Sequence, residues 1–201
     1  MATSPRHPAP LSRAWLFAGA LALGALGGLA AGCQDQGAPA PSASSEGRPV
    51  VDTTLVAFLS KARAANHAAD LSITNGDRQA AIKHLRRVTE AARPRVSPEV
   101  VEVLADAHAR LGELLAEEGD FQAASREVDA GLALATEVTL FRANLFMARG
   151  VVQERRMKAL EQAGDTSGAA AARAAALTAF ETAMTLQEKV IEEALADEPR
   201  E

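Results

Sequence analysis

The residue with the most specific chemistry in this 201-residue chain is Cys33, its only cysteine. A lone thiol supplies one nucleophilic sulfur and has no second cysteine in the chain with which to form a disulfide. The residues that lead directly into it are aliphatic or small: Leu29, Ala30, Ala31 and Gly32. Polar sequence begins immediately after it, at Gln34 and Asp35. This boundary position favours covalent modification of Cys33 over burial in a core.

The rest of the chain offers few residues suited to catalysis or metal binding. Beyond the first 32 residues the histidines are His67, His84 and His108, which fall on three different predicted helices without the His-Glu spacing of a helical zinc site. The chain has no Gly-x-Ser-x-Gly motif and no glycine-rich phosphate-binding loop. We therefore predict no metal, no cofactor and no enzymatic activity.

The segment before Cys33 is typical of a secretory signal peptide. Arg6 and Arg13 make its start basic, and residues 14–31 then carry no charge. This order, followed by small residues, predicts a cleaved signal peptide over residues 1–32. An uncleaved transmembrane helix is the alternative, because a stretch of this length can just span a bilayer core of about 30 Å.

The boundary at Cys33 resembles the lipobox of bacterial lipoproteins, in which Leu or a similar residue, two small residues and Cys direct lipidation and cleavage. This chain departs from the pattern at Ala30, because Leu29 lies one position further back than usual. The resemblance implies that Cys33 carries a diacylglyceryl thioether and an N-acyl chain, which together anchor a protein stably in a membrane. Enterobacterial lipoproteins with Asp directly after the Cys stay in the inner membrane. Gln34 therefore favours the outer membrane facing the periplasm, although Asp35 comes next.

Composition divides the remainder into a tether and one domain. Residues 33–49 are rich in Pro, Ala and Ser and are predicted to form a disordered tether, whereas residues 50–201 have the length and pattern of one helical domain. Two of the 21 basic residues belong to the leader. The remaining 19 basic residues and the 26 acidic residues give the chain after the leader a net charge near −7. This charge argues against nucleic acid as a partner. The aromatic residues of the domain are all Phe and are mostly expected in the core: Phe58, Phe121, Phe141, Phe146 and Phe180.

Three Gly-Asp pairs recur along the domain, each between two helical patterns. They are Gly76-Asp77, Gly119-Asp120 and Gly164-Asp165, separated by 43 and 45 residues. Gly tolerates the left-handed conformation that ends a helix, and Asp caps the start of the next helix. Five residues after each Gly stands an alanine, at Ala81, Ala124 and Ala169, where a small side chain lets two helices approach closely. The pattern predicts three antiparallel helical hairpins.

These positions resemble the tetratricopeptide repeat (TPR), a helix-turn-helix unit of 34 residues. The middle copy carries Leu111-Gly112 in the first helix, Gly119-Asp120 at the turn and Ala124 in the second helix. The other copies depart from the pattern, with Ala68-Ala69 and Arg156-Met157 in place of Leu-Gly, and the period exceeds 34. The resemblance implies an all-α fold, a right-handed stack of three hairpins that forms a TPR-like α-solenoid.

Helical periodicity and capping residues predict six helices. Their expected ranges are 52–75, 77–93, 98–118, 120–135, 138–163 and 166–196, which makes the C-terminal hairpin the longest. The last helix is expected to face inward with Ala172, Ala176, Ala179, Phe180, Ala183, Val190, Ile191 and Ala194. Its outward stripe is expected to be polar, with Glu181, Thr185, Glu188 and Glu192. A polar outer face is what a terminal capping helix requires.

The expected function is a lipid-anchored scaffold or adaptor that binds a protein or peptide partner in the assembly of a cell-envelope complex. Helical repeats present extended binding surfaces, and Lys83, Arg86 and Arg87 on the second helix are candidate partner-binding residues. These basic residues could instead pair with acids of the third helix, or the two faces could be separately solvated. The alternative function is a structural lipoprotein that self-associates through its long C-terminal hairpin and acts as an oligomeric spacer.

Replacement of Cys33 by Ser tests the anchor. We expect Cys33→Ser to abolish acylation, so that the protein keeps its leader and loses the mass of the acyl chains in intact-protein mass spectrometry. Membrane fractionation should then show less retention than for the wild type. Equal retention of an unprocessed wild-type chain and the variant would instead identify residues 14–31 as a transmembrane helix.

Overall fold

The computed structural model describes residues 52–196, which fold into six α-helices without a strand. The helices are α1 (Thr53–Thr74), α2 (Arg78–Thr89), α3 (Pro98–Glu117), α4 (Phe121–Leu134), α5 (Leu140–Gln162) and α6 (Thr166–Ala196). They belong to one compact unit, Gly47–Glu201. The predicted all-α class is confirmed. The predicted signal peptide, Cys33 with its flanking residues, and the whole of the predicted tether lie outside the described residues.

The helix boundaries follow local capping chemistry, and the largest difference from the predicted ranges is at the end of α2. We expected α2 to reach Arg93, but it ends at Thr89 with Glu90 as its cap. A proline lacks an N–H donor and disfavours helical geometry in the residue before it, so α2 is not expected to continue past Pro94. α5 begins at Leu140, where the Thr139 hydroxyl accepts a hydrogen bond from the Arg142 N–H at 3.2 Å.

The three Gly-Asp turns are built in the same way. Gly76, Gly119 and Gly164 have φ angles of 76°, 83° and 78°, a region that glycine adopts without steric cost. In each turn the Asp N–H donates to the carbonyl five residues back, at 2.8–3.0 Å. The Asp carboxylate accepts from the N–H three residues ahead, at 2.8–2.9 Å. Each turn therefore ends one helix and caps the next within three residues.

Helix α3 lies at the centre of the packing. It contacts α1, α2, α4 and α5, whereas α6 contacts only α5 among the described helices. The consecutive helices joined by Gly-Asp turns also pack on each other: α1 on α2, α3 on α4 and α5 on α6. Eleven of the twenty residues of α3 are buried. The larger part of the hydrophobic core therefore surrounds this helix.

Gly112 lets α3 and α4 approach closely. A Cβ added at Gly112 would lie 2.6 Å from Cγ2 of Val128 and 3.2 Å from the carbonyl oxygen of Ala124. Ala124 itself is fully buried at this contact. The backbone oxygen cannot rotate away as a side chain can, so a larger residue at 112 would have to push the two helices apart.

Most of the five Phe contribute to the core as expected: Phe58 is buried in it, and Phe121 and Phe141 are partly buried against it. Phe146 is partly exposed, with the guanidinium groups of Arg142 and Arg149 5.5 and 5.4 Å from its ring centroid.

The expectation about the end of α6 is wrong. Ile191 and Ala194 are exposed rather than inward-facing. α6 has 31 residues against 23 in α5, so the end of α6 extends past the helix it packs on. The outer side of α6 is not purely polar either, because Leu177, Met184, Ile191 and Leu195 are exposed.

The close approach at Gly112 predicts the effect of a single methyl group. Gly112→Ala should destabilise the protein by about 1–3 kcal/mol through overpacking, even though Ala favours a helix interior over Gly by about 1 kcal/mol. Thermal unfolding followed by circular dichroism measures the change. Ala130→Gly, at an exposed position of α4, calibrates the helix-propensity part and should lose about 1 kcal/mol. A stabilised Gly112→Ala variant would contradict the close approach.

Candidate functional site

The open side of α3 carries a row of charged residues, which we call the acidic strip. Its members are Glu99, Glu102, Asp106, Arg110, Glu113 and Glu117, and none of them is fully buried. Their spacing of three or four residues places them on one face of the helix. Five acids and one arginine give the strip a net negative charge. Because the other faces of α3 are covered by neighbouring helices, the strip is the part of this central helix that a ligand can reach.

Ion pairs connect the strip to the helices on either side. Arg110 pairs with Asp70 of α1. Glu117 accepts from Arg155 of α5 at 2.6 Å and from Arg78 of α2 at 3.0 Å. These pairs are partly exposed, and such pairs each contribute about 0–1 kcal/mol. Their main effect is to fix the three neighbouring helices, α1, α2 and α5, alongside the strip.

Asp106 and Glu113 are the strip residues with the most unfavourable environment. Partial burial raises the pKa of the Asp106 carboxyl, an effect that the nearby Arg110 opposes and Asp70 reinforces. Partial burial also raises the pKa of Glu113, against the opposing influence of Arg155. Neither carboxylate forms an ion pair or a side-chain hydrogen bond within residues 52–196. Two ionisable groups are thus held in the strip at a cost to folding, which is a frequent property of functional sites.

An apolar cleft adjoins the N-terminal end of the strip. It has a volume of about 310 Å³ and lies where the connections before α3 and α5 meet. Its apolar lining includes Val96, Pro98, Val101, Leu134 and Phe141. Glu102 lines the cleft and belongs to the strip as well. A ligand in the strip could therefore place an aliphatic group in the cleft without leaving the surface of α3.

The basic residues singled out in the sequence lie elsewhere, on the outer side of α2. Lys83, Arg86 and Arg87 line a shallow open depression on that helix. In the part of the chain that the structure describes, none of the three pairs with an acid of α3. Among the described residues Glu117 is the acid of α3 that forms ion pairs, and its partners are Arg78 and Arg155, which had no distinguishing signal in the sequence. The three basic residues remain candidates for partner binding as a separate solvated face.

The predicted helical histidines do not converge on a site. His108 is buried between α3 and α4, where its Nδ1 lies 2.9 Å from a carboxylate oxygen of Glu127, and its Nε2 has no hydrogen-bond partner among the described residues. His84 lies on α2, 3.4 Å from Arg87, and His67 is exposed on α1. Across residues 52–196, no group of three His, Cys, Asp or Glu side chains could hold a metal ion.

The strip had a visible signal in the sequence. Acids at 99, 102, 106 and 113 repeat at helical spacing, which is compatible both with pairing to the basic second helix and with a separate solvated face. Which residues face them depends on how the hairpins pack, and that is not encoded in the spacing. The apolar cleft had no sequence signal, because its lining comes from two segments that are distant in the sequence.

Comparison with known proteins returns no relatives: no protein-family model, curated protein or solved structure matches the chain. None of the helices between residues 52 and 196 is both long and apolar enough to cross a membrane. The functional interpretation therefore rests on the residues and geometry described above.

The raised pKa of Glu113 predicts how its neutral analogue changes stability with pH. A carboxyl whose pKa is raised by folding destabilises the folded state at pH values above that pKa, and the penalty disappears as pH falls below the pKa of the unfolded chain. We therefore expect Glu113→Gln to raise the melting temperature at pH 7 and to have a smaller effect at pH 4. Thermal melts at the two pH values measure this, with exposed Glu161→Gln as the control. The expectation would be contradicted if the gain in melting temperature of Glu113→Gln over the wild type were smaller at pH 7 than at pH 4.

Proposed function

We propose that this protein is a lipid-anchored scaffold of the bacterial cell envelope whose TPR-like helical body binds a partner protein or peptide during assembly of an envelope complex. Acylated Cys33 holds the body at the membrane, with the outer membrane facing the periplasm as the expected location. The tether separates the body from the lipid. A flexible chain of 17 residues spans roughly 20–25 Å, enough to clear the headgroups.

Local structure supports the TPR-like interpretation of the body as a right-handed stack of three hairpins. All three Gly-Asp turns share one backbone geometry and one capping pattern. Ala81, Ala124 and Ala169, at the same distance beyond each turn, are all buried. First helices of successive pairs contact one another, α1 with α3 and α3 with α5. In a helical repeat such first helices form an extended face on which a partner can bind.

The observation that carries the proposed binding role is the pair of half-buried, unpaired carboxylates in the acidic strip. Asp106 and Glu113 cost the free protein stability, and a cationic partner would offset that cost by supplying the missing charge. From Glu99 to Glu117 the strip runs about 27 Å along α3, the length of roughly eight residues of extended peptide. The expected ligand is therefore an extended segment with Lys or Arg side chains and an aliphatic residue for the adjoining cleft.

Self-association as an oligomeric spacer is the second candidate function. It is favoured by the exposed apolar residues on the outer side of α6, which another copy of the chain could cover. The two functions differ in the surface that is occupied and in its occupant. A scaffold holds a different protein against the strip, whereas a spacer makes contacts between its own copies through α6.

Site-specific photo-crosslinking in intact cells tests the scaffold function. A photo-reactive amino acid replaces Glu99, an exposed member of the strip, in the full chain with its leader, and the adducts are mapped by mass spectrometry. We expect an adduct with a basic segment of another protein. Its yield should fall about tenfold in the Asp106→Asn/Glu113→Gln double variant, because each neutralised carboxylate removes roughly 0.7 kcal/mol of pairing and 1.4 kcal/mol is tenfold.

The double variant separates binding from folding. It should be at least as stable as the wild type at pH 7, so a loss of adduct cannot be attributed to unfolding. Glu90→Gln/Glu161→Gln, which neutralises two exposed acids outside the strip, should leave the yield unchanged. Adducts that contain only this chain would contradict the scaffold function, and a yield insensitive to the double variant would refute the strip as the binding surface.

A further inference from the structure

The outer side of α6 carries a regular row of exposed apolar side chains. Leu177, Met184 and Ile191 are spaced by seven residues, and Leu195 lies one turn beyond. Between 55% and 65% of each side chain is exposed. We call these four residues the α6 row. The row lies on a flank of α6, next to the side that contains Ala172, Ala176, Ala179 and Ala183, on which α5 packs.

A spacing of seven residues identifies the kind of surface that would cover the α6 row. Apolar residues repeated every seven positions stay on one side of a helix that packs along another helix, as in coiled coils. The row is about 27 Å long from Leu177 to Leu195, at 1.5 Å per residue. Among the described helices only α5 touches α6, so nothing in this part of the chain covers the row. The matching occupant is a helix with apolar residues at the same spacing.

The charge beside the α6 row indicates the chemistry of that helix. Glu181 and Glu188 each follow a row residue by four positions, and Glu192 lies on the same edge; all three are exposed. Two cations lie near the row. Lys189 is five residues from Met184 and therefore on another side of α6, whereas Arg173 is one turn before Leu177, at the N-terminal end of the row and eight residues from Glu181. A partner helix that covers the row would run beside this negative edge. Lys or Arg along its flank would complement the charge.

The same charges disfavour a second copy of this chain as the occupant. If two α6 helices met in an antiparallel arrangement centred on Met184, Glu181 of one copy would lie beside Glu188 of the other. Like charges in that position oppose association. If two α6 helices met in a parallel arrangement, the glutamate edge of one copy would meet the opposite edge of α6 in the other copy. That opposite edge is packed on α5.

We propose that the α6 row binds an amphipathic helix of a second protein, with apolar residues at seven-residue spacing and Lys or Arg along the edge that meets Glu181 and Glu188. This surface is separate from the acidic strip on α3. It would give the protein a second attachment point, whether or not the strip binds a partner. The row residues are already exposed to solvent, so they can be changed without removing contacts from the core.

Photo-crosslinking from the row tests the proposal in the full chain expressed in its native cells. A photo-reactive amino acid replaces Met184, and a matched variant carries it at Thr178, which is exposed on α6 outside the row. We expect an adduct from position 184 with a mapped segment of another protein that has the seven-residue apolar spacing and an excess of Lys and Arg. Reversing the charge edge with Glu181→Lys/Glu188→Lys should lower the yield at least about fivefold.

Each other outcome would overturn the proposal. These outcomes are adducts with this chain alone, adducts with an acidic or non-helical segment, equal yields from positions 184 and 178, or a yield that charge reversal leaves unchanged. Circular dichroism of the Glu181→Lys/Glu188→Lys variant checks that α6 remains helical. The Asp106→Asn/Glu113→Gln variant should not change the adduct from position 184, so failure of the strip and failure of the α6 row can be told apart.

Discussion

Helix α3 contacts four of the other five helices, and this packing sets the properties of the rest of the body. α4 can pack closely on α3 because Gly112 has no side chain at the contact. A Cβ there would meet the carbonyl oxygen of Ala124, which belongs to the backbone and cannot move aside. The close packing also requires small side chains such as Ala124 on the facing helix. Once three sides of α3 are covered, the one remaining side must face solvent. The charged residues of this helix can therefore lie only along that side.

The acidic strip is a consequence of this constraint and is not optimal for folding. Burial beside α1 and α5 raises the pKa values of Asp106 and Glu113, so their ionised forms are less stable in the folded protein than in the unfolded chain. Arg110, Arg155 and Arg78 offset part of the strip's negative charge. Asp106 and Glu113 themselves form no ion pair within residues 52–196. A cationic ligand would stabilise the ionised carboxylates of such a site. Neutral residues at the same positions would stabilise the free protein but would remove the charge that attracts the ligand.

The second open surface has a different origin. α6 is the last helix of the described chain and packs on α5 alone, so its outer side has no neighbour in residues 52–196. The α6 row and the acidic strip are thus separate surfaces on different helices, one mainly apolar with an acidic edge and the other mainly acidic with an apolar cleft. Both favour partners that combine positive charge with aliphatic side chains. A scaffold that joins two components needs such independent surfaces.

The sequence by itself determined the elements: the all-α class, the positions of the six helices and the residues that form the three Gly-Asp turns. These follow from local chemistry, because a left-handed Gly, a capping Asp and apolar residues at helical spacing act within a few residues of one another. The position of Pro94 gave an approximate limit for α2. It did not give the observed end of the helix at Thr89, a few residues before the proline.

Only the tertiary structure decided which faces are covered. Ile191 has the spacing of an inward residue, yet it is exposed because α6 extends past α5. The acids of α3 could pair with Lys83, Arg86 and Arg87 or form a separate solvated face. The packing keeps them from those three basic residues and brings Arg78 and Arg155 to Glu117. Helical periodicity specifies the direction of a side chain around its own helix, whereas its neighbours depend on how distant segments are brought together. The strip, the cleft and the α6 row are all defined by those long-range contacts.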